Sequence, residues 1–212
     1  MARKPFIIRP RKTASRLPKP KVLIVCEGSK TEPDYFDLLK KEYHLLSVVV
    51  VKASTIGSAP ISVVESAVYL NQQQIKLYGE SAAFEKVYCV YDTDEHTSLD
   101  EAKRLIKANK FNGVISNPCF EYWLLLHFKY TRALFLSSGD KTAATMCQKQ
   151  LKQYLPDYQK TEIFKYFDLL LDTMPVAIAN STQGFTDAIK TNEYNPSTNM
   201  HDLIMLLKSF QK

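Results

Sequence analysis

The sequence predicts an α/β fold: a parallel sheet of about four strands flanked by helices, with a helical C-terminal part. Three observations predict it. Residues 22–26, 47–52 and 86–91 are short unbroken runs rich in β-branched and aromatic side chains, the pattern of strands buried on both faces. Between them, apolar residues return every three or four positions, as on one face of a helix. The proposed strands then end in polar or acidic residues, and parallel α/β sheets gather function beyond their strand ends.

Each element has its own local reason. Val22-Leu23-Ile24-Val25-Cys26 stops at Glu27-Gly28, where glycine permits a tight turn. Thr31 reads as a helix N-cap, with Pro33 near the first helical position. The helix runs to about residue 43, with Tyr35, Phe36, Leu38 and Leu39 on its apolar face. A second buried strand covers 47–52. A turn at 56–60 leads into a helix over 61–78 that Gly79 ends. The third strand begins at Lys86, a helix follows over 99–109, and a fourth, shorter strand spans 111–116. Alternation over 22–116 implies right-handed crossovers and a sheet covered on both sides. Asn117-Pro118 reads as a cap and first helical proline opening a helix over 119–128. Helices over 141–155, 163–171, 175–191 and 200–210 complete the chain. The expected organisation is a basic arm (1–21), an α/β domain (22–128) and a helical part (129–212) packed on or beside the sheet.

The net charge of +6 is unevenly placed. Residues 1–21 carry eight Lys/Arg and no acid, so the other residues hold 20 basic against 22 acidic groups. The arm also has four prolines, which suits an extended segment. Arg9, Arg11, Lys12, Arg16 and Lys19 are candidate contacts to a nucleic-acid backbone, with a merely solubilising arm as the equal alternative. No run approaches the roughly 18 apolar residues of a membrane helix, and no apolar signal core follows the basic start. A cytoplasmic protein with no membrane association is expected. Cys26, Cys89, Cys119 and Cys147 form no C-x-x-C pair and read as reduced, buried thiols.

The candidate site comes from the strand ends. Asp92 and Asp94 follow the third strand two residues apart, so both point to one side if the strand continues. Glu27 ends the first strand, and Glu121 lies one helical turn beyond Asn117. Four carboxylates at one edge repel unless they protonate or share a cation. Hard oxygen donors of this kind select Mg²⁺ or Mn²⁺. Lys30 could position a phosphate or stabilise its transition state. Plainer readings stand beside these: Asp92 and Asp94 as turn formers, Lys30 as part of a solvated cap, Glu121 as an acid favouring a helix N-terminus. Tyr122, Trp123 and His127 read first as packing residues. His96, beside the acids, reads as a solvated loop residue or a further ligand. The six glycines form no G-x-G-x-x-G or Walker A loop, which disfavours a nucleotide pocket.

An acid-glycine pair after the first strand and Asp-x-Asp after the third resemble the Toprim domain, a Mg²⁺-binding Rossmann-like fold. Residues 22–36 (VLIVCEGSKTEPDYF), 91–96 (YDTDEH) and 116–128 (SNPCFEYWLLLHF) more closely resemble the RloB family. The resemblance implies a prokaryotic protein of anti-phage defence or abortive infection, often encoded beside an AAA- or ABC-type ATPase, a candidate partner. It puts the metal roles on Glu27, Asp92 and Asp94. Many Toprim proteins have a third acid where this chain has His96, a departure that leaves one-metal and two-metal chemistry both open. The combined expectation is a Mg²⁺- or Mn²⁺-dependent phosphodiesterase acting on DNA or RNA, with Glu27, Lys30, Asp92, Asp94 and Glu121 as its catalytic residues. The alternative is a non-catalytic effector or nucleic-acid-binding module working with an ATPase.

Overall fold

A computed structural model describes residues 20–53, 59–93 and 99–211. The N-terminal arm with Arg9, Arg11, Lys12, Arg16 and Lys19 lies outside the described residues, as do the turn residues 56–58 and Asp94, Glu95 and His96.

Five strands form one sheet in the order β2-β1-β3-β4-β5. Strands β1 (Val22–Cys26), β2 (Val48–Lys52), β3 (Lys86–Asp92) and β4 (Asn112–Asn117) are parallel, as the alternation with helices predicts. Register places Cys26 opposite Val90 and Asp92 opposite Ser116, so β1, β3 and β4 finish along one edge. Helices α1 (Thr31–Glu42), α2 (Pro60–Tyr78) and α3 (Leu99–Ala108) fill the crossovers.

The period-two alternation of the strands separates two cores. Leu23, Val25, Val87, Cys89 and Tyr91 pack with residues of α2 and α3. Val22, Ile24, Cys26, Tyr88 and Val90 pack with α1 and with the elements after β4. Those elements are α4 (Glu121–Leu126), α5 (Ala143–Leu151), α6 (Phe167–Asp172), α7 (Met174–Thr191) and α8 (Met200–Ser209). By the same alternation, Asp92 shares the face of Tyr88 and Val90.

Three sequence expectations are corrected. The fifth strand, β5 (Ser197–Thr198), pairs antiparallel with β4 and was not expected. Asn199 extends the pairing: its Oδ1 accepts from Ile115 N at 2.7 Å and its Nδ2 donates to Gly113 O at 2.9 Å. A side-chain amide thus adds to the backbone bond from Asn199 N to Ile115 O (3.4 Å), and such an edge leaves no hydrophobic run to read. Strand β2 is an edge strand in which only Val48 is buried, because among the described residues no strand pairs with its far side. The helix expected over 119–128 is only α4, since β4 continues to Asn117 and residues 118–120 form the connection into the helix. Asn117 therefore ends a strand and does not share a helix face with Glu121.

Every residue of α4 is buried, the condition of a helix apolar on all sides. Trp123, Tyr122 and His127 are core residues, as expected. Trp123 Nε1 donates to Tyr35 Oη at 2.9 Å, and Tyr35 Oη donates to Met174 Sδ at 3.8 Å. These bonds fix α1, α4 and α7 against one another beneath the strand ends.

Candidate functional site

Glu27 follows β1. Its N–H donates to Val90 O at 2.9 Å, and its Oε2 accepts from Asp92 N at 2.9 Å. The carboxylate of one strand end is thereby tied to the backbone of the next, beside the Asp92 side chain.

Two acids from the helices that cover the Asp92 face of the sheet meet them there. Glu121, the first residue of α4, is 1% exposed. Its Oε1 accepts from Tyr158 Oη at 3.3 Å and lies 3.5 Å from Lys160 Nζ. Its Oε2 is buried with no hydrogen-bond partner among the described residues. Glu32, in the first turn of α1, lies against Gly28, where any Cβ would run into the Glu32 carboxyl group. Gly28 is needed for this close approach, the space rather than the turn requiring it.

The electrostatics follow from this crowding. Burial, and then the charges of Glu32, Glu121 and Glu27, push the Asp92 carboxyl well above the usual carboxylate range, while a backbone hydrogen bond from Phe120 pulls it down. Burial is also the main cause that raises Glu32 to about 7, with Glu121 and Glu27 adding to it and Lys160 opposing. For Lys160, burial disfavours the ammonium, yet Glu121, Cys119, Glu32 and Asp92 together raise its pKa above the usual lysine value. Each carboxylate is costly because its neighbours are carboxylates in a poorly hydrated place.

The structure brings Glu27, Asp92 and Glu121 together, and it adds two residues not expected there, Glu32 and Lys160. In the sequence, Glu32 reads with Lys30 and Thr31 as part of a solvated helix cap. Lys160 sits in a loop without periodicity and is placed by a distant contact: Thr31 Oγ1 donates to Lys160 O at 2.9 Å. Thr31 is therefore not the N-cap of α1; Lys30 occupies that position, with no side-chain capping bond. The Lys30 side chain is exposed. Asp94 lies outside the described residues. Among the described residues, no three acidic, histidine or cysteine side chains are set to hold a metal ion.

Other reactive groups nearby are inert by environment. All four cysteines are free and buried, and burial pushes the Cys89 thiol up to about 12, far from the low values of nucleophilic thiols. His127 Nδ1 lies 3.0 Å from Thr173 Oγ1, and burial lowers its pKa to about 3. Ser181 Oγ lies 2.8 Å from His201 Nδ1, but Ser181 is 1% exposed and also donates to Thr198 O, so no substrate reaches it. No helix among the described residues is long and apolar enough to cross a membrane.

A family model described as RloB-like protein matches residues 22–207, nearly the whole chain. No curated protein and no solved structure matches it.

Proposed function

Because the chain belongs to the RloB-like family, we propose, from the site it carries, that it is a Mg²⁺- or Mn²⁺-dependent phosphodiesterase acting on DNA or RNA. The observation that carries this reading is the crowding of Glu27, Glu32, Asp92 and Glu121 at one sheet edge, with two of the four pushed toward protonation. A protein that had no use for this charge would be more stable with amides there. The donor chemistry suits a hard divalent cation: carboxylate oxygens, one of them buried without a partner. Glu27 and Asp92, with Asp94, would hold it. Such an ion polarises a phosphoryl oxygen and lowers the pKa of bound water.

The remaining side chains have roles that follow from their environment. Glu32, with a pKa near 7, is suited to accept and return a proton at neutral pH. Lys160 is partly exposed and beside Glu121, so its ammonium can meet a phosphate while balancing the acids. Tyr158 and Lys160 both hold Glu121 Oε1 and fix that carboxylate. Lys30, exposed beside the site, can contact the backbone of an approaching strand. The basic residues Arg9, Arg11, Lys12, Arg16 and Lys19 would add salt-sensitive affinity. A cytoplasmic place in anti-phage defence, with an AAA- or ABC-type ATPase partner, rests on the family resemblance.

The test is cleavage of single- and double-stranded DNA and RNA with Mg²⁺ or Mn²⁺, comparing the wild type with Asp92→Ala. Metal-dependent cleavage lost in the variant is the expected result; equal cleavage by both would sink the reading. A second reading, a non-catalytic nucleic-acid-binding effector, is favoured by the basic arm, where residues 1–21 carry eight Lys/Arg and no acid. It predicts that removing residues 1–20 abolishes nucleic-acid binding and that Asp92→Ala leaves it unchanged.

A further inference from the structure

A cavity of about 490 Å³ opens where β3 and β4 end, on the side of the sheet covered by α3. Ligand pockets typically run from about 300 to 1,000 Å³. Thr93, Lys103, Asn117, Phe185 and Tyr194 contribute to its wall. Thr93 directly follows Asp92, and successive strand residues point to opposite faces about 3.3 Å apart along the chain. The cavity and the acidic cluster therefore share one strand tip.

The wall combines two kinds of group. Phe185 and Tyr194 contribute aromatic rings to the lining: Tyr194 is 42% exposed, and the Phe185 ring also lies tilted against His201 at 6.0 Å. Among the described residues the Lys103 ammonium and the Asn117 amide have no hydrogen-bond or ion-pair partner, and the buried Thr93 Oγ1 has none either. An aliphatic ligand would leave the buried Thr93 hydroxyl and the half-buried Asn117 amide unpaired, and a bare anion would leave the aromatic rings unused; Lys103 is exposed. A nucleobase answers both: it stacks on aromatic rings regardless of its identity, and its edge pairs with an amide. Lys103 then meets the adjoining phosphate. We infer that this cavity takes an unstacked nucleobase of the strand whose phosphodiester lies at the acidic cluster, so that the substrate is single-stranded or locally opened nucleic acid. The inference rests on the proposed phosphodiesterase reading and names its substrate class.

The test uses a single-stranded oligonucleotide, in ribo and deoxy forms, carrying one central 2-aminopurine, with EDTA present so that nothing is cleaved. Saturable change of its fluorescence on adding the full chain is expected. Tyr194→Ala should weaken that binding by about tenfold, within the loss of one base–aromatic stack. Tyr194→Phe should restore it, and Tyr69→Ala, an exposed tyrosine on α2, should leave it unchanged. Equal affinity of Tyr194→Ala and wild type, or equal binding of a blunt duplex, would overturn the inference. Saturable binding of the free 2-aminopurine nucleotide with none of the oligonucleotide would also overturn it. Metal-dependent cleavage without a fluorescence change defeats this inference and leaves the phosphodiesterase reading standing; a fluorescence change without cleavage does the reverse.

Discussion

Replacing Glu32 by glutamine should make the protein more stable at pH 8. In the folded state its carboxyl is raised from 4.5 to about 7, first by burial and then by Glu121 and Glu27. A raised acid contributes stability that is fully present below its unfolded value and lost as pH rises through the folded one. Each unit is about 1.4 kcal/mol, so ionised Glu32 costs about 3 kcal/mol at most above pH 7. Part of the side chain still meets solvent, so a cost of roughly 1–3 kcal/mol is the realistic range. Glutamine keeps the shape and removes the charge. Urea denaturation with EDTA should therefore show Glu32→Gln gaining that amount at pH 8 and almost nothing at pH 4. Equal gains at both pH values, or no gain at pH 8, would refute the reasoning. Such a gain is also the form a stability–activity trade-off takes when a site stores unfavourable charge.

Gly28→Ala should leave the fold intact but drive the Glu32 carboxyl outward, since the added methyl takes its place. Carbon-13 NMR of the glutamate side chains should then show the titration near pH 7 moving toward 4.5; an unmoved titration contradicts the packing argument. Lys160→Met should cost about 1–2 kcal/mol, below the range for a fully buried pair because Lys160 is 59% exposed, and Glu121→Gln in the same chain should recover most of it; thermal denaturation of the two variants checks both. His127 is lowered to about 3 by burial, so it binds a proton more readily when unfolded. Its contribution is complete above pH 6.5 and is lost as pH falls toward 3. His127→Asn should flatten the acid limb of the stability profile measured by urea midpoints, and an unchanged limb would show that the imidazole is not the group titrating.

The sequence made the parallel sheet legible because 22–26 and 86–91 are buried on both faces and so are apolar without interruption. Glu27, Asp92 and Glu121 were legible because each ends or follows a strand, and a parallel sheet brings those ends to one edge. Glu32 was hidden by a sufficient local explanation, since an acid in a first helical turn is favoured by the helix dipole. Lys160 was hidden because a long-range bond from Thr31 places it, and periodicity carries no trace of such a contact. Strand β5 escaped because Asn199 completes its pairing through a side chain. The apolar run at 119–128 suggested a longer helix than α4 because burial on every side, rather than helical length, keeps those residues apolar.

The central claim is that these acids are held together for a divalent cation. Calorimetric titration of Mg²⁺ and Mn²⁺ into the full chain at neutral pH tests it most directly. The account predicts saturable binding with proton release, seen as a heat that changes with the buffer, because raised carboxyl groups must ionise to become ligands. It further predicts that Asp92→Asn abolishes the signal. No saturable heat in the wild type, or the same heat in Asp92→Asn, would contradict it.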